Sequence, residues 1–349
     1  MRSAALLATL PGMLFAQSVG ILVAPFDGPG IVGVKAATVL NLQVWQTLRL
    51  APPNNVHRLS FGRGTVYWDE GAPVRSHAEA EKRADRETQL VFWGRAQQYG
   101  SGVVVTAYLT VVGATHPGLT VWKVARTDAG SQPITAALPA RRFEFAPIVL
   151  TPEVLSEFQT PGGLKMYRSC NSREESGIAG DSFTALEQGR DCAKIRSGGV
   201  DGWVRIPGLS RNRSEVVDFV GAMVRIFRKD WGGALDLFER VVANSAAPAS
   251  IRAQAFALMA AASDNLRRQT GVSSRRSEFV EKAVQLNPYL QSTIRYLCMS
   301  QLADIEGARA AERAVHAASL RKTIARYRFL FSAKDPWLAN VESAATAAR

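Results

Sequence analysis

The sequence predicts a multidomain α+β protein with a small N-terminal α/β domain, a compact β-rich unit and a C-terminal α-helical region. Three observations predict this fold class. Strand and helix patterns alternate over 20–113, short alternating apolar runs separated by glycines fill 164–207, and helical periodicity dominates from 214 onward. A chain of 349 residues has room for two or three such domains.

The first sixteen residues are typical of an export signal. Arg2 gives a positive start, an apolar stretch covers 4–15, and the small Ala16 before Gln17 suits cleavage. The stretch is too short to anchor in a bilayer, although a buried N-terminal helix or strand is the alternative. We therefore expect a periplasmic or secreted protein, divided into a signal peptide at 1–16, an α/β domain at 17–157, a β-rich domain at 158–210 and a helical domain at 211–349.

The N-terminal domain is predicted from apolar runs and from helix signals. Ser76 is a suitable N-cap, and Glu79 stands three residues later as in a capping box. The prolines Pro52 and Pro53 end the helix before it. The predicted elements are a buried strand at 20–26, a helix at 34–50, a second helix at 77–87 and a hairpin of strands 89–94 and 102–111.

The rest of the chain continues with short strands and then with helices. Apolar positions recur at helical spacing in each C-terminal segment, and helices of this length joined by short turns pack as pairs. Further predicted strands lie at 119–124 and 143–149, a short helix starts at Thr151-Pro152, and the later helices cover 214–227, 234–242, 249–267, 277–286, 289–305 and 307–331.

A glycine-rich turn is the one enzyme-like motif. The segment Gly28-Pro29-Gly30-Ile31-Val32-Gly33 fits G-x-G-x-x-G between a predicted strand and a predicted helix, where backbone N–H groups can hold a phosphate. A dinucleotide site also needs an acid about 20 residues later, and none occurs between Asp27 and Asp69. A phosphate- or nucleotide-binding enzyme using Gly28, Gly30 and Gly33 is therefore the alternative function, and a flexible turn explains the glycines equally well.

Other catalytic chemistry has little support in the sequence. The four histidines have no companion serine or cysteine in a recognisable frame, and G-x-S-x-G is absent. The cysteines and histidines also lack zinc-type spacing. We predict no catalytic residue, no cofactor and no metal site.

Charge and cysteines indicate the kind of partner and compartment. The formal net charge of +12 favours anionic partners, such as cell-envelope polymers, phospholipid surfaces or acidic proteins, and nucleic acid is not expected for an exported chain. Cys170 and Cys192 lie close together in a β-rich segment, where an oxidising compartment would permit a disulfide. Cys298 fits the buried face of a helix.

Part of the β-rich segment resembles bacterial SH3-like domains. The resemblance is carried by Leu164-Lys165-Met166-Tyr167-Arg168, by 183–189, by Ala193-Lys194-Ile195-Arg196 and by Gly202-Trp203-Val204. It implies a small β-barrel with Tyr167 and Trp203 as candidate partner contacts. Trp203 also suits a core position.

Two further resemblances are looser. The spacing of Ala234, Phe238 and Val241, and the run at 283–288 that ends in Asn287-Pro288, resemble tetratricopeptide repeats. The patterns at 23–26 and 89–100 are similar to N-terminal α/β domains of TolB-like envelope proteins. Together the resemblances imply a non-catalytic interaction or scaffold protein that binds peptide, polymer or protein partners.

Overall fold

A computed structural model gives the chain a mixed α/β fold with a C-terminal helical region. It describes residues 19–47, 54–55, 58–61, 64–68, 71–85, 88–112, 120–125, 132–157, 164–179, 184–189, 192–205 and 215–348. Three predicted features lie outside the described residues. They are the signal peptide at 1–16, the helix end at Pro52 and Pro53, and the start of the helix 214–227 at Ser214.

The elements are numbered in chain order. The helices are α1 (Val32–Thr47), α2 (His77–Arg83), α3 (Pro152–Ser156), α4 (Glu215–Phe227), α5 (Trp231–Ala243), α6 (Ala249–Thr270), α7 (Arg276–Leu286), α8 (Gln291–Gly307), α9 (Ala310–Tyr327) and α10 (Pro336–Ala347). The strands are β1 (Gly20–Val23), β2 (Asn54–Asn55), β3 (Arg58–Phe61), β4 (Gly64–Trp68), β5 (Thr88–Tyr99), β6 (Gly102–Val111), β7 (Thr120–Val124), β8 (Ile134–Ala137), β9 (Arg142–Glu144), β10 (Ile148–Leu150), β11 (Leu164–Tyr167), β12 (Glu175–Ala179), β13 (Thr184–Gln188), β14 (Cys192–Ser197) and β15 (Val200–Arg205).

A mixed sheet forms the N-terminal part. The apolar strand β1 lies between β4 and β5 and is parallel to both, while β5 and β6 form the predicted long hairpin. Ser76 caps α2 as predicted, with its hydroxyl accepting from the Glu79 N–H at 3.2 Å. The strands β3 and β4 were not predicted, so the element order is strand, helix, hairpin, helix, hairpin.

The β-rich segment is an open array instead of the predicted closed barrel. Its strands lie in the order β13-β14-β15-β11-β12. The far edge of β13 pairs with β2, through Thr184 opposite Asn55, whereas closure would need that edge to pair with β12. The strands therefore continue the N-terminal sheet, and within the described residues no closed barrel is found.

The C-terminal helices follow the predicted boundaries closely. Consecutive helices pack against one another, α4 on α5, α6 on α7 and α8 on α9. The small residues Ala234 and Ala283 are buried, as close helix packing requires. A further helix, α10, ends the described chain and was not predicted as a separate element. Among the helices that the structure describes, none has the length and apolarity needed to cross a membrane.

The helices and the sheet share one continuous hydrophobic core. Helix α4 is buried along most of its length, and the ring of its Phe219 lies 4.8 Å from Phe143 and 5.4 Å from Phe145, centroid to centroid. The hairpin of β7 and β8 packs against α6, α8 and α10. The helical region thus braces the N-terminal part of the chain.

Candidate functional site

A row of side chains crosses the open β array at one register. Residues directly opposite each other on neighbouring strands point to the same face of a sheet. Trp203 on β15 lies opposite Lys194 on β14 and Tyr167 on β11. The row continues outward to Glu187 on β13 and Glu175 on β12. We call this surface the Trp203 face.

The two predicted aromatic contacts are neighbours with different exposure. Tyr167 is 5% exposed, its hydroxyl donates to Glu157 Oε2 at 2.8 Å, and the Arg205 guanidinium lies 4.1 Å from its ring centroid. Burial and then the hydrogen bond with Glu157 raise the pKa of Tyr167 to about 12. Trp203 is half-buried and stays reachable. A partner could contact Tyr167 only by displacing Arg205, so the role of both residues as contacts stays a prediction.

Ion pairs lie along both sides of the aromatic row. Lys194 Nζ lies 3.3 Å from Glu187 Oε1, and Lys165 Nζ lies 2.8 Å from Glu175 Oε1. These side chains are partly exposed, so each pair can exchange its partner for a ligand at little cost. The face therefore offers an aromatic ring for stacking, with donors and acceptors on either side.

The predicted disulfide between Cys170 and Cys192 is confirmed, with the two Cα atoms 5.7 Å apart. It joins the turn after β11 to the start of β14. A Cβ at Gly189 would lie 2.5 Å from the Cys192 Sγ, so only glycine fits beside the bond. The bond is consistent with an oxidising compartment. Cys298 is a free, buried cysteine as predicted, and burial raises the pKa of its thiol to about 12.

The three glycines of the G-x-G-x-x-G turn have different structural settings. A Cβ at Gly28 would lie 2.7 Å from the Ala96 carbonyl oxygen, and one at Gly33 would lie 1.9 Å from the Phe26 carbonyl oxygen. These two positions thus need glycine for backbone packing, whether or not a ligand binds. Gly30 has a φ of +54°, and a Cβ placed there would meet open space, so this glycine serves the left-handed turn.

The side chains beside this turn include a negative charge. Asp27 Oδ1 lies 3.4 Å from Arg75 Nε. A phosphate held by the turn would be repelled by the negative charge of the Asp27 carboxylate. Its binding would therefore depend on the positive charge of Arg75 to offset this repulsion. The phosphate site at Gly28, Gly30 and Gly33 stays a prediction.

A buried ionic cluster around Asp264 was missed by sequence reasoning. Asp264 is 0% exposed and accepts from Trp122 Nε1 at 3.0 Å and from Arg268 Nε at 2.9 Å, while Arg276 bridges it to Asp304. Burial alone would raise the pKa of Asp264, but these hydrogen bonds and charges lower it. The cluster fixes the β7–β8 hairpin to the helices. Only the spacing of Asp264 and Arg268 on one helix face was visible in the sequence.

A second missed cluster joins α2 to the sheet. His77 Nδ1 lies 2.8 Å from Thr110 Oγ1, which also accepts from Trp93 Nε1 at 2.9 Å. The Trp93 ring stacks on Tyr108 at 4.3 Å. Burial, then the charge of Arg142, lowers the pKa of His77, and Glu81 acts in the opposite direction. Thr110 is fully buried, so this group holds α2 in place.

Metal binding and enclosure of a small ligand gain no support from the geometry. Within the described ranges, no three His, Cys, Asp or Glu side chains are grouped so that they could hold a metal ion. A cavity between the β7–β8 hairpin and helices α8 and α10 is lined by mostly apolar side chains, including Val124, Ile134 and Leu302. Its volume of about 10 Å³ has room for about one water molecule, which is far below the size of a ligand site.

Comparisons of the chain with protein-family models, with curated proteins and with solved structures found no match.

Proposed function

We propose that the chain is an exported, non-catalytic interaction protein of the bacterial cell envelope, which binds a peptide or polymer chain on the Trp203 face. The observation that carries this proposal is the half-buried Trp203 with exchangeable ion pairs on either side of it. Interface hot spots are enriched in tryptophan because one ring provides a large contact area at low entropic cost.

The resemblance of this segment to bacterial SH3-like domains supports the same proposal. Domains of that kind are expected to act by binding, and the disulfide gives the β-rich segment a brace suited to an oxidising compartment. The predicted export signal at 1–16, which lies outside the described residues, supports export.

The helical region is proposed as a scaffold for the sheet. Its helices α6, α8 and α10 already pack against the β7–β8 hairpin of the same chain. Tyr296 donates to the Ala137 carbonyl at 2.9 Å, and Trp337 donates to the Thr135 carbonyl at 2.8 Å. The faces of α6, α8 and α10 that contact this hairpin are therefore covered by the chain itself, and a partner would bind elsewhere.

Co-sedimentation with purified peptidoglycan sacculi, a cell-envelope polymer, tests the proposal. We expect the full chain to sediment with sacculi and Trp203→Ala to bind at least about tenfold more weakly, as for an aromatic hot spot. Tyr99→Ala removes an aromatic side chain that is 73% exposed on a distant hairpin, and it should bind as wild type.

Folding of the variants must be checked because Trp203 is partly buried. Trp203→Phe keeps an aromatic ring, so it should retain most of the binding and most of the stability. Sacculi that bind Trp203→Ala as well as they bind wild type would exclude the Trp203 face as the binding site. Absence of sedimentation by the wild-type chain would exclude this polymer.

The alternative function is a phosphate-ligand enzyme that uses the glycine turn. A thermal-shift series with nucleotides distinguishes it, because a ligand that binds the folded state raises the melting temperature until the site saturates. Replacing Gly30 by alanine should then reduce the shift. The packing roles of Gly28 and Gly33 make these two positions unsuitable for the test.

A further inference from the structure

Half of the net charge of the chain is concentrated in one short segment. Between Arg309 and Lys334 there are seven Lys or Arg residues and one acid, Glu312, which gives a net charge of +6 against +12 for the whole chain. This segment comprises α9 and the turn that follows it. A positive field of this density attracts anionic surfaces.

The outer face of α9 combines cations with exposed apolar side chains. The inner face is buried through Leu320, Ile324 and Tyr327. Val315, Lys322 and Arg326 are exposed, and their spacing of seven and eleven residues places them on one side of the helix. Val315 is 69% exposed, and Phe329, in the turn just after α9, is 68% exposed.

The cations differ in how far they are engaged within the chain. Arg328 pairs with Glu342, and Arg321 donates to the Ala345 carbonyl. Lys322 and Lys334 are exposed and have no ion pair with any acid that the structure describes. Their charge is available to a partner.

The shape and composition of this face favour a lipid surface over a protein partner. The 18 residues of α9 give a helix about 27 Å long at 1.5 Å per residue. The cavity described above is lined from α8, α10 and the β7–β8 hairpin, so α9 contributes no residue to it. Protein hot spots usually fill pockets, whereas a bilayer is flat, negatively charged and able to receive apolar side chains between its headgroups.

We propose that the outer face of α9 binds the surface of an anionic phospholipid bilayer. Lys322 and Arg326 lie against the headgroups, and Val315 and Phe329 insert at the two ends of the face. The contact is peripheral and separate from the Trp203 face, so it neither requires nor excludes the proposed polymer binding.

Vesicle flotation with the full chain tests this contact. We expect binding to vesicles of phosphatidylcholine mixed with phosphatidylglycerol, little binding to phosphatidylcholine alone, and weaker binding as salt is raised. An anionic surface attracts each lysine or arginine near it, so Lys322→Glu with Arg326→Glu should reduce the affinity at least about tenfold. Val315→Ser with Phe329→Ser should also weaken binding while leaving the charge unchanged.

A matched control separates the face from the overall charge. Lys82→Glu with Arg141→Glu reverses one lysine and one arginine, both exposed, in the N-terminal part of the chain. This variant has the same net charge as the α9 variant and should bind the vesicles nearly as well as wild type. Equal loss in the two variants, equal binding to both kinds of vesicle, or no vesicle binding by the wild type would overturn the proposal. Capture of a purified acidic protein without vesicle binding would assign the face to protein instead.

Discussion

Asp264 shows how a single ionised side chain can hold separate parts of this chain together. It has no exposure to solvent, and its carboxylate receives hydrogen bonds from Trp122 on β7 and from Arg268 on its own helix. The substitution Asp264→Asn keeps the size of the side chain but removes the buried charge that pairs with Arg268 and Arg276. Breaking a buried ion pair in this way costs about 3–5 kcal/mol. We expect the variant to lower the free energy of unfolding by that amount in a denaturant titration.

Glu278 provides the matched comparison for this measurement. Hydrogen bonds from Arg275 and then from Lys282 lower its pKa to about 2, but the three side chains are largely in solvent. Exposed pairs contribute less than about 1 kcal/mol because water and salt screen them. Glu278→Ala should therefore cost much less than Asp264→Asn. If the two substitutions lowered the free energy of unfolding equally, burial would not be the reason that the ion pairs of Asp264 stabilise the fold.

At the scale of residues, some contacts could be predicted from the sequence and others could not. Cys170 and Cys192 could be paired because they lie 22 residues apart in a segment with strand character. The partner of Asp264 on β7 is 142 residues away in the chain, and no local pattern connects the two. The sequence also did not reveal that Tyr167 is buried, because this burial depends on its contacts with Glu157 and Arg205.

At the scale of elements, α2 is held to the sheet by a group that responds to pH. The pKa of His77 lies below the ordinary value of 6.5, so the neutral ring is the form that suits the folded state. Its contribution to stability is therefore fully present above pH 6.5 and is lost as the pH falls through the lowered pKa.

This sign gives a testable difference between the wild type and His77→Gln, which cannot take up a proton. Between pH about 7.5 and about 5.5, the range in which histidine titrates, the wild type should lose more stability than the variant. Denaturant titrations of both proteins at the two pH values measure the difference. Parallel losses would show that His77 does not carry the response.

Elements with strong apolar periodicity were predictable, and those without it were not. Helices α4 to α9 each present buried residues at helical spacing over eleven residues or more. Strands β2 to β4 are only two to five residues long and carry no long apolar run, although Thr65-Val66-Tyr67-Trp68 in β4 has the β-branched and aromatic residues typical of a strand. Their pairing with β1 and β13 is decided by the sheet around them.

At the scale of the whole molecule, the sheet and the helices share one hydrophobic core. The β2–β13 pairing extends the N-terminal sheet into the β-rich segment, and the β7–β8 hairpin packs against the helices. Both contacts connect residues far apart in the chain, which explains why the sequence suggested a separate β-rich domain and a separate helical region. Binding is therefore proposed on the outer surfaces, the Trp203 face and the outer face of α9.

Hydrogen–deuterium exchange of the full chain, with and without soluble fragments of muramidase-digested sacculi, tests the central claim most directly. We expect the fragments to slow exchange in β11, β14 and β15 around Trp203, and to leave the turn at Gly28–Gly33 unchanged. Protection confined to that turn would contradict binding at the Trp203 face and favour the phosphate-binding alternative. Unchanged exchange throughout the chain would contradict the Trp203 face as a site for this polymer.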